Sequence, residues 1–331
     1  MIKYLKNGHG ARRKTGAASR QLILPAMGTI NTITLYDSDN AAMLEEIKKT
    51  IRQMEQHFSI FIDDSDVSRI NRYAGIAPVK VHRDTIAVIS EGLRLGALTN
   101  GAFDITAGPL SRLWKQSIRR RVLPSPSEID AARRLVAQRF LELDDEKNTV
   151  FLTRKGAYID LGGIAKGYAA DVITGMCLSS GERNAILNLG GTIRLLGRAQ
   201  EIGIQDPFGE TGDSIGSIDA ADCALVTSGT YEQYFVKDGV RYHHIIDPGT
   251  GYPAESPIAG ITLMGRDAAM LDGIATGVIA AGSMSAGMEM LASSHLEAVL
   301  ITGDGSIFCT PGSKGRLHLD PSKMKGASKH A

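Results

Sequence analysis

A glycine-rich segment with a lysine, Asp160–Asp171, has the residue types best suited to chemistry in this sequence. Asp160 ends a strand predicted over residues 156–159, and two glycines follow it. Glycine lets a backbone turn at positive φ or approach a ligand closely. Lys166 lies just inside the next predicted helix, where a cation and free N–H groups favour an anion, above all a phosphate. The alternative is a simple helix-start turn whose lysine forms a salt bridge.

The spacing in this segment excludes two common phosphate-binding motifs. Lys166 is followed by Gly167 rather than by Ser or Thr, and the upstream glycines are wrongly spaced for a Walker loop. The G-x-G-x-x-G pattern of dinucleotide enzymes is also missing here. The segment therefore indicates an anion site of another kind.

An Asp-x-x-x-Thr pair is a second candidate for chemistry. Asp272 and Thr276 lie on a helix predicted over residues 268–281. Residues four apart share a helical face, so the carboxylate and the hydroxyl point the same way. Hard oxygen donors of this kind suit Mg²⁺, which completes its octahedron with water and phosphate oxygens. The alternative is a surface aspartate beside a threonine that bonds back to its own turn.

Two adjacent histidines, His243 and His244, lie in a predicted strand over residues 242–246 that leads into a glycine-rich turn. Neighbouring side chains in a strand face opposite sides, so we expect only one of them to face a site. Histidine titrates near neutral pH and can accept a proton from an attacking hydroxyl. The alternative is a structural histidine bonded to backbone.

The elements that must position these residues are helices and strands interleaved without a regular βα repeat. This order favours an α+β fold over a doubly wound parallel sheet. Gly101 is expected at the C′ position of the second helix. The predicted helices cover residues 40–57, 84–100, 127–138, 169–179, 268–281 and 285–293. The predicted strands, besides the two named above, cover residues 29–36, 140–143, 149–152, 185–189, 193–196, 201–205, 224–228, 258–264 and 298–301.

Composition excludes several classes of function. The 331 residues are 43% hydrophobic and 22% charged, which is ordinary for a globular protein. A net charge of +1 gives no general reason to expect binding to nucleic acid or to a membrane. No stretch is long and apolar enough to span a bilayer, and the basic start has no signal-peptide core. Isolated Cys177, Cys223 and Cys309 argue against disulfides or a cysteine zinc site. We therefore expect a cytoplasmic protein without stable membrane association.

The ends of the chain are expected to be loosely ordered. Residues 1–21 are polar and basic, and residues 311–331 are rich in Gly, Ser and Lys. The sequence therefore predicts one main domain over residues 22–310 between two flexible segments.

Taken together, eight motifs between Met27 and Ile301 resemble the ApbE family, the FAD:protein FMN transferases. One such motif is weak evidence, whereas eight in the order of the family are specific. They are Met27-Gly28-Thr29, residues 59–65 with Ser68-Arg69-Ile70-Asn71, residues 101–110 with Trp114, Asp160–Asp171, residues 188–191, Ser228-Gly229-x-Tyr231, residues 244–248, and Asp272 with Thr276.

The resemblance implies a Mg²⁺-dependent enzyme of T-fold-like α+β architecture, with mixed or antiparallel sheets flanked by helices and FAD in a cleft between sub-lobes. It implies transfer of the FMN half of FAD to a Ser or Thr hydroxyl of an acceptor flavoprotein, with release of AMP. The acceptor would have a sequence like D-G-x-x-S/T-G-A-S/T. By position, His244 would be the base, and the metal would be held by Asp272, Thr276 and the carbonyl of Gly163. FAD would contact Met27, Phe61, Ala102, Phe103, Asp104, Asp160, Lys166 and Ile245.

Two positions depart from the family pattern. Phe61 stands where many relatives have Tyr, which keeps ring stacking but removes a hydroxyl. Ala275 stands where some relatives have a second Asp, so the site would hold Mg²⁺ with fewer charges and more water.

Alternative functions remain open at this point. The same site could let water attack, which would make the protein an FAD diphosphatase that yields FMN and AMP. A flavin-binding protein without catalysis is a further alternative. The tail Gly326-Ala327-Ser328 resembles the end of the acceptor sequence, which raises the possibility of self-flavinylation at Ser328.

Overall fold

The computed structural model describes residues 19–320 of the chain. In this range the helices are α1 (Ala41–Phe58), α2 (Asp66–Arg72), α3 (Arg83–Leu98), α4 (Gly108–Arg120), α5 (Pro126–Arg133), α6 (Ala165–Ser179), α7 (Ala268–Ala280), α8 (Met284–Ser293) and α9 (Pro311–Lys314). The strands are β1 (Arg20–Ala26), β2 (Thr29–Leu35), β3 (Val79–Lys80), β4 (Leu141–Asp144), β5 (Thr149–Leu152), β6 (Ala185–Leu189), β7 (Thr192–Leu196), β8 (Gln200–Gln205), β9 (Ser214–Ala220), β10 (Ala224–Gly229), β11 (Tyr234–Lys237), β12 (Val240–His243), β13 (Ile258–Gly265), β14 (Glu297–Thr302), β15 (Ile307–Cys309) and β16 (Leu317–Leu319).

An eight-stranded sheet in the order β1-β2-β6-β7-β10-β13-β14-β15 forms the centre of the molecule. Three smaller sheets accompany it, in the orders β3-β5-β4, β16-β9-β8 and β11-β12. The strands given above pair with their neighbours in the antiparallel direction. The α+β fold expected from the sequence is therefore confirmed. In the described part of the chain, no helix is long and apolar enough to cross a membrane.

The main core lies between this sheet and helices α1, α3, α6 and α7. Helix α1 is amphipathic, and its apolar residues at helical spacing, including Ile47 and Ile51, are fully buried. Helix α7 is apolar almost all round, as expected for a helix enclosed by neighbours. Buried Asp272 is an exception on that helix, because a charged side chain at 4% exposure needs a partner.

Helices α6 and α7 bind each other's N-terminal backbone groups. The carboxylate of Asp171, on α6, accepts hydrogen bonds from the N–H groups of Ala268 and Ala269 at 3.1 and 2.9 Å. In return, Oδ2 of Asp272, on α7, accepts one from the N–H of Gly167 at 3.1 Å. Carboxylates at helix N-termini satisfy free donors and complement the helix dipole. This reciprocal capping fixes the two helices against each other.

A close approach between the same helices requires glycine at position 167. A Cβ added there would lie 2.2 Å from the carbonyl oxygen of Ala268, which is backbone and cannot rotate away. We expect Gly167→Ala to lower the free energy of unfolding by about 2 kcal/mol through overpacking. Denaturant unfolding followed by circular dichroism measures this change.

Gly175 provides the matched control on the same helix. It is exposed, and an added Cβ would meet nothing within 4 Å. Gly175→Ala should therefore stabilise the protein by about 0.5–1 kcal/mol through helix propensity alone. Equal effects of the two substitutions would contradict the tight contact at position 167.

Several boundaries differ from those expected. The second helix ends in a Schellman motif whose C′ residue is Asn100 at φ 51°, and Gly101 is the residue after it. Residues after 310, expected to be a flexible tail, form α9 and β16, and Leu317 of β16 pairs with Ile218 of β9. The polar composition did not predict a strand here, because β16 is stabilised by a partner strand that is distant in sequence. Residues 1–18 and 321–331, including Ser328, lie outside the described residues.

Candidate active site

A cleft of about 400 Å³ is lined by most of the residues that the sequence predicted for the site. Its walls come from the β1–β2 turn, the segment before α4, the glycine turn before α6, one face of α7, and the segments around β11 and β12. The predicted site residues that line it are Met27, Ala102, Phe103, Asp104, Asp160, Gly163, Lys166, His244, Ile245, Asp272 and Thr276.

Phe61 is the predicted site residue that does not line this cleft. It lies in the loop between α1 and α2, and 83% of its surface is exposed. Its N–H donates to Oγ of Ser59 at 3.1 Å. Contact between Phe61 and FAD stays a prediction.

The segment before the glycine turn is irregular, so the strand predicted over residues 156–159 is wrong. The amide side chain of Asn71 replaces a strand partner, because it donates to the carbonyl of Ile159 and accepts from its N–H at 3.0 and 2.7 Å. The N–H of Asp160 then donates to the carbonyl of Ile105. These bonds satisfy the backbone without a sheet and hold the carboxylate of Asp160 at the cleft.

Asp160 is held by two residues of α4 that the sequence did not single out. Its Oδ2 accepts hydrogen bonds from Nζ of Lys115 at 2.6 Å and from Oγ of Ser111 at 2.8 Å, and its Oδ1 accepts one from the N–H of Gly162. Burial raises the pKa of Asp160, but Lys115 and these hydrogen bonds outweigh it, so the pKa lies below its usual value. The i, i+4 spacing of Ser111 and Lys115 was the available signal.

Lys166 is the second residue of α6, as the glycine turn indicated. The N-cap residue Ile164 has no side chain that could cap this helix, so the capping carboxylate comes from Asp272 of α7. Nζ of Lys166 donates to the carbonyl of Gly162 at 3.3 Å. Neither glycine of the turn has a positive φ, so close approach rather than turning explains them. A Cβ at Gly163 would lie 3.1 Å from the ring of Phe103 and 3.4 Å from Oγ1 of Thr276.

The oxygen atoms around Gly163 fit a magnesium ion. Asp272 and Thr276 line the cleft from one face of α7, and the absent Cβ of Gly163 leaves space beside Oγ1 of Thr276. This hydroxyl also donates to the carbonyl of Asp272 at 3.1 Å, as the alternative for the Asp-x-x-x-Thr pair expected of the threonine, but Asp272 is buried rather than on the surface. The role of the pair in binding a metal stays a prediction. The donors are a carboxylate, a hydroxyl and a nearby carbonyl, which are the hard oxygens that Mg²⁺ prefers. Ala275 is fully buried and adds no donor.

The two adjacent histidines face different surroundings, as expected, although the strand predicted over residues 242–246 ends at His243, the last residue of β12. Nε2 of His243 lies 3.1 Å from the carbonyl of Ala254, and its Nδ1 accepts from the N–H of Ile245, which is a structural role. His244 lines the cleft, and its buried Nδ1 has no hydrogen-bond partner in the described part of the protein. Burial, then His243, Lys115 and Lys166, lower the pKa of His244 to about 4. His244 is therefore neutral at pH 7 and can accept a proton.

This depressed pKa predicts a loss of stability in acid. An unfolded histidine has a pKa near 6.5, so the unfolded state gains a proton as the pH falls while the folded His244 stays neutral until about pH 4. We expect His244 to remove about 2 kcal/mol from the free energy of unfolding between pH 7 and pH 5. Urea titrations of the wild type and of His244→Gln at both pH values measure it. An unchanged pH dependence in His244→Gln would contradict the shift.

Further residues complete the cleft. Met27 has a positive φ of 53° in the two-residue turn between β1 and β2, and its N–H donates to Oε1 of Glu55 at 2.7 Å. Asp104 caps the short helix that follows it, and burial raises its pKa. Glu232 and Gln233 also line the cleft, directly before β11. Sequence reasoning missed Glu232, although it follows the Ser228-Gly229-x-Tyr231 motif.

Fold and cleft together define an α+β protein with a large polar cleft suited to an anionic ligand. The sequence model of the ApbE family matches residues 27–300. The chain therefore belongs to the ApbE family. The resemblance inferred from the eight motifs is thereby confirmed over almost the same range.

Curated relatives cover most of the chain. It is 33% identical over 294 residues to the FAD:protein FMN transferase of Vibrio cholerae serotype O1. The aligned region covers 85% of this chain and 87% of the relative. It is 30% identical over 332 residues to the FAD:protein FMN transferase of Treponema pallidum. The aligned region covers 94% of this chain and 91% of the relative.

Solved structures agree with the fold. The flavin transferase ApbE from Vibrio cholerae superimposes with a TM-score of 0.81 at 31% identity, over 91% of this chain and all of that one. The ApbE protein from Thermotoga maritima also gives a TM-score of 0.81, at 32% identity, over 90% of this chain and 99% of that one.

Proposed function

We propose that this protein transfers the FMN half of FAD to a Ser or Thr hydroxyl of an acceptor protein and releases AMP, in a Mg²⁺-dependent reaction. The observation that carries the proposal is the lining of one cleft by a lysine, an all-oxygen donor set and a neutral histidine. The relatives named FAD:protein FMN transferase support it.

The pyrophosphate of FAD would lie between α6 and α7. Lys166, at the start of α6, offers positive charge to the phosphate oxygens, and the dipole of this helix adds to it. Asp272, Thr276 and the carbonyl of Gly163 would hold Mg²⁺ on the other side. A bound Mg²⁺ would neutralise phosphate charge and so make AMP a better leaving group. Lys166 would stabilise the charge that develops in the transition state.

His244 would accept the proton of the acceptor hydroxyl. The hydroxyl oxygen attacks the phosphorus of the FMN half, and the bond between that phosphorus and the bridging oxygen breaks as AMP leaves. The new phosphoester joins FMN to the acceptor, and the proton ends on the imidazole. His244 is suited to this task because it is neutral at pH 7 and its Nδ1 has no partner among the described residues.

The rest of FAD would contact the remaining wall of the cleft. Met27, Ala102, Phe103 and Ile245 supply apolar surface for the ring systems. Asp160 and Asp104 supply carboxylates for polar groups of the nucleotide, and Lys115 holds the former in place.

The experiment is to incubate the purified protein with FAD, with and without Mg²⁺. A small acceptor protein carrying a D-G-x-x-S-G-A-T sequence is present, and the readouts are intact mass and released nucleotide. An acceptor that gains one FMN, with AMP released only in the presence of Mg²⁺, supports the transferase. Free FMN and AMP without an adduct would instead indicate the diphosphatase. Binding of FAD without turnover would indicate a non-catalytic flavin-binding protein. The cytoplasmic location stays a prediction.

A further inference from the structure

Three side chains outside the cleft bring metal-binding atoms together. His57 lies in the last turn of α1, His82 is the N-cap residue of α3, and Asp84 lies in the first turn of α3. One ligand atom from each lies within 4.8 Å of the other two. Oδ2 of Asp84 is 3.8 Å from Nδ1 of His57 and 3.2 Å from Nδ1 of His82.

The hydrogen bonds inside this cluster leave one buried nitrogen atom without a partner. Nδ1 of His57 is buried and has no hydrogen-bond partner within residues 19–320, because the carboxylate of Asp84 is beyond bonding distance. A buried polar atom of this kind calls for an additional partner. The rings of His57 and His82 are stacked with centroids 4.2 Å apart and planes 18° apart. Two protonated imidazoles would repel each other there, whereas two neutral ones can share a cation.

The cluster is also accessible. The side chains of His82 and Asp84 are 55% and 32% exposed, so an ion can enter from solvent and water can complete its coordination. The side chain of His57 is 18% exposed and closes the inner side. Metal–ligand distances of about 2.0–2.2 Å require the three ligand atoms to draw closer together when an ion binds.

We propose that His57, His82 and Asp84 bind a divalent transition-metal ion of the zinc type, with water as the remaining ligand. Two imidazoles and one carboxylate suit Zn²⁺, Co²⁺ or Ni²⁺, whereas Mg²⁺ prefers oxygen donors alone. This site is therefore separate in position and in chemistry from the oxygen donors around Gly163. It does not depend on the proposed transferase activity.

The ion would serve as a structural clip. It would join the end of α1 to the start of α3 and so close the intervening segment, which includes α2 and the loop with Phe61. Oδ1 of Asp84 accepts a hydrogen bond from the hydroxyl of Tyr168 at 3.2 Å, which connects the cluster to α6.

The test measures Zn²⁺ binding to the full-length, tag-free protein by competition with a chromophoric chelator in excess Mg²⁺. Co²⁺ absorption gives a second readout. We expect His82→Asn to weaken Zn²⁺ binding at least tenfold. Nδ1 of His82 accepts from the N–H of Asp84, so an ion bound at Nδ1 would replace this hydrogen bond. The variant is informative because Asn is a good N-cap that keeps the capping bond without the imidazole. A role in capping alone would leave metal binding unchanged.

His318→Asn is the matched control, since exposed His318 also lies beside a carboxylate, that of Asp219, at 2.8 Å. It should bind Zn²⁺ like the wild type. Zinc should also raise the melting temperature of the wild type and of His318→Asn but not that of His82→Asn. Binding by the wild type that is no tighter than by His82→Asn, or no binding at all, would overturn the proposal.

Discussion

Asp272→Asn should reduce FMN transfer at least about 100-fold and remove its dependence on Mg²⁺. The substitution removes the charge from the proposed metal site but keeps an oxygen that can accept from the N–H of Gly167. The fold should therefore survive, and the loss should lie in metal affinity and in the rate of transfer. Mn²⁺ titration followed by electron paramagnetic resonance, together with initial rates at several Mg²⁺ concentrations, separates the two effects.

Asp267→Asn is the control on the same helix. Asp267 is the exposed N-cap of α7, and its side chain accepts from the N–H of Met270. Asn keeps this cap and removes the same charge, so transfer should stay within about twofold of the wild type. If Asp272→Asn bound Mn²⁺ and transferred FMN normally, the assignment of the metal site would be wrong.

His244→Ala should lower the rate of transfer by about 10²–10⁴-fold, which is the usual contribution of a positioned general base. Affinity for FAD should change little, because the imidazole is assigned to the acceptor hydroxyl rather than to the nucleotide. Single-turnover rates with saturating FAD, and FAD binding measured by fluorescence, test the two parts separately.

His243→Gln provides the comparison. His243 bonds to the backbone of Ala254 and Ile245, so its loss should reduce stability by about 1–2 kcal/mol. The folded enzyme should still transfer FMN at close to the normal rate. Retention of more than a tenth of the activity in His244→Ala would show that another group removes the proton.

The sequence predicted helices α1, α3 and α7 well because their signals are local, whereas it did not predict α2 and α4. The apolar spacing of α1 and the strong caps of α3 and α7 lie within each segment, and the helices were placed within a few residues. The start of α6 was placed too late, at residue 169 rather than Ala165. Its N-cap residue is Ile164, which cannot cap, and the capping carboxylate of Asp272 is distant in sequence, so the usual local start signal was missing.

Strands and their partners were harder to predict because they depend on distant residues. β16 is three residues long and exists through pairing with β9. Residues 156–159 have a strand-like pattern, but Asn71 satisfies the backbone of Ile159 there and prevents a ladder. Neither outcome can be read from the local pattern, since both depend on partners that only the folded chain provides.

The candidate site was predicted where residue type and spacing already indicated chemistry. Lys166, His244 and the Asp272–Thr276 pair all line the cleft. Lys115 was missed because its helix, α4, was not predicted, and only the fold brings it to Asp160. Phe61 was expected in the site from resemblance alone, and its exposed position leaves that role as a prediction.

The reciprocal capping of α6 and α7 ties the sequence positions of the two helix starts to each other. An insertion or deletion between Gly167 and Asp171 would misalign both caps at once, so it would have to be matched by a change between Ala268 and Asp272. We therefore expect the two helices to change only as a pair. For the same reason, an engineer who moves this lysine and carboxylate into another scaffold would need to transplant both helices together.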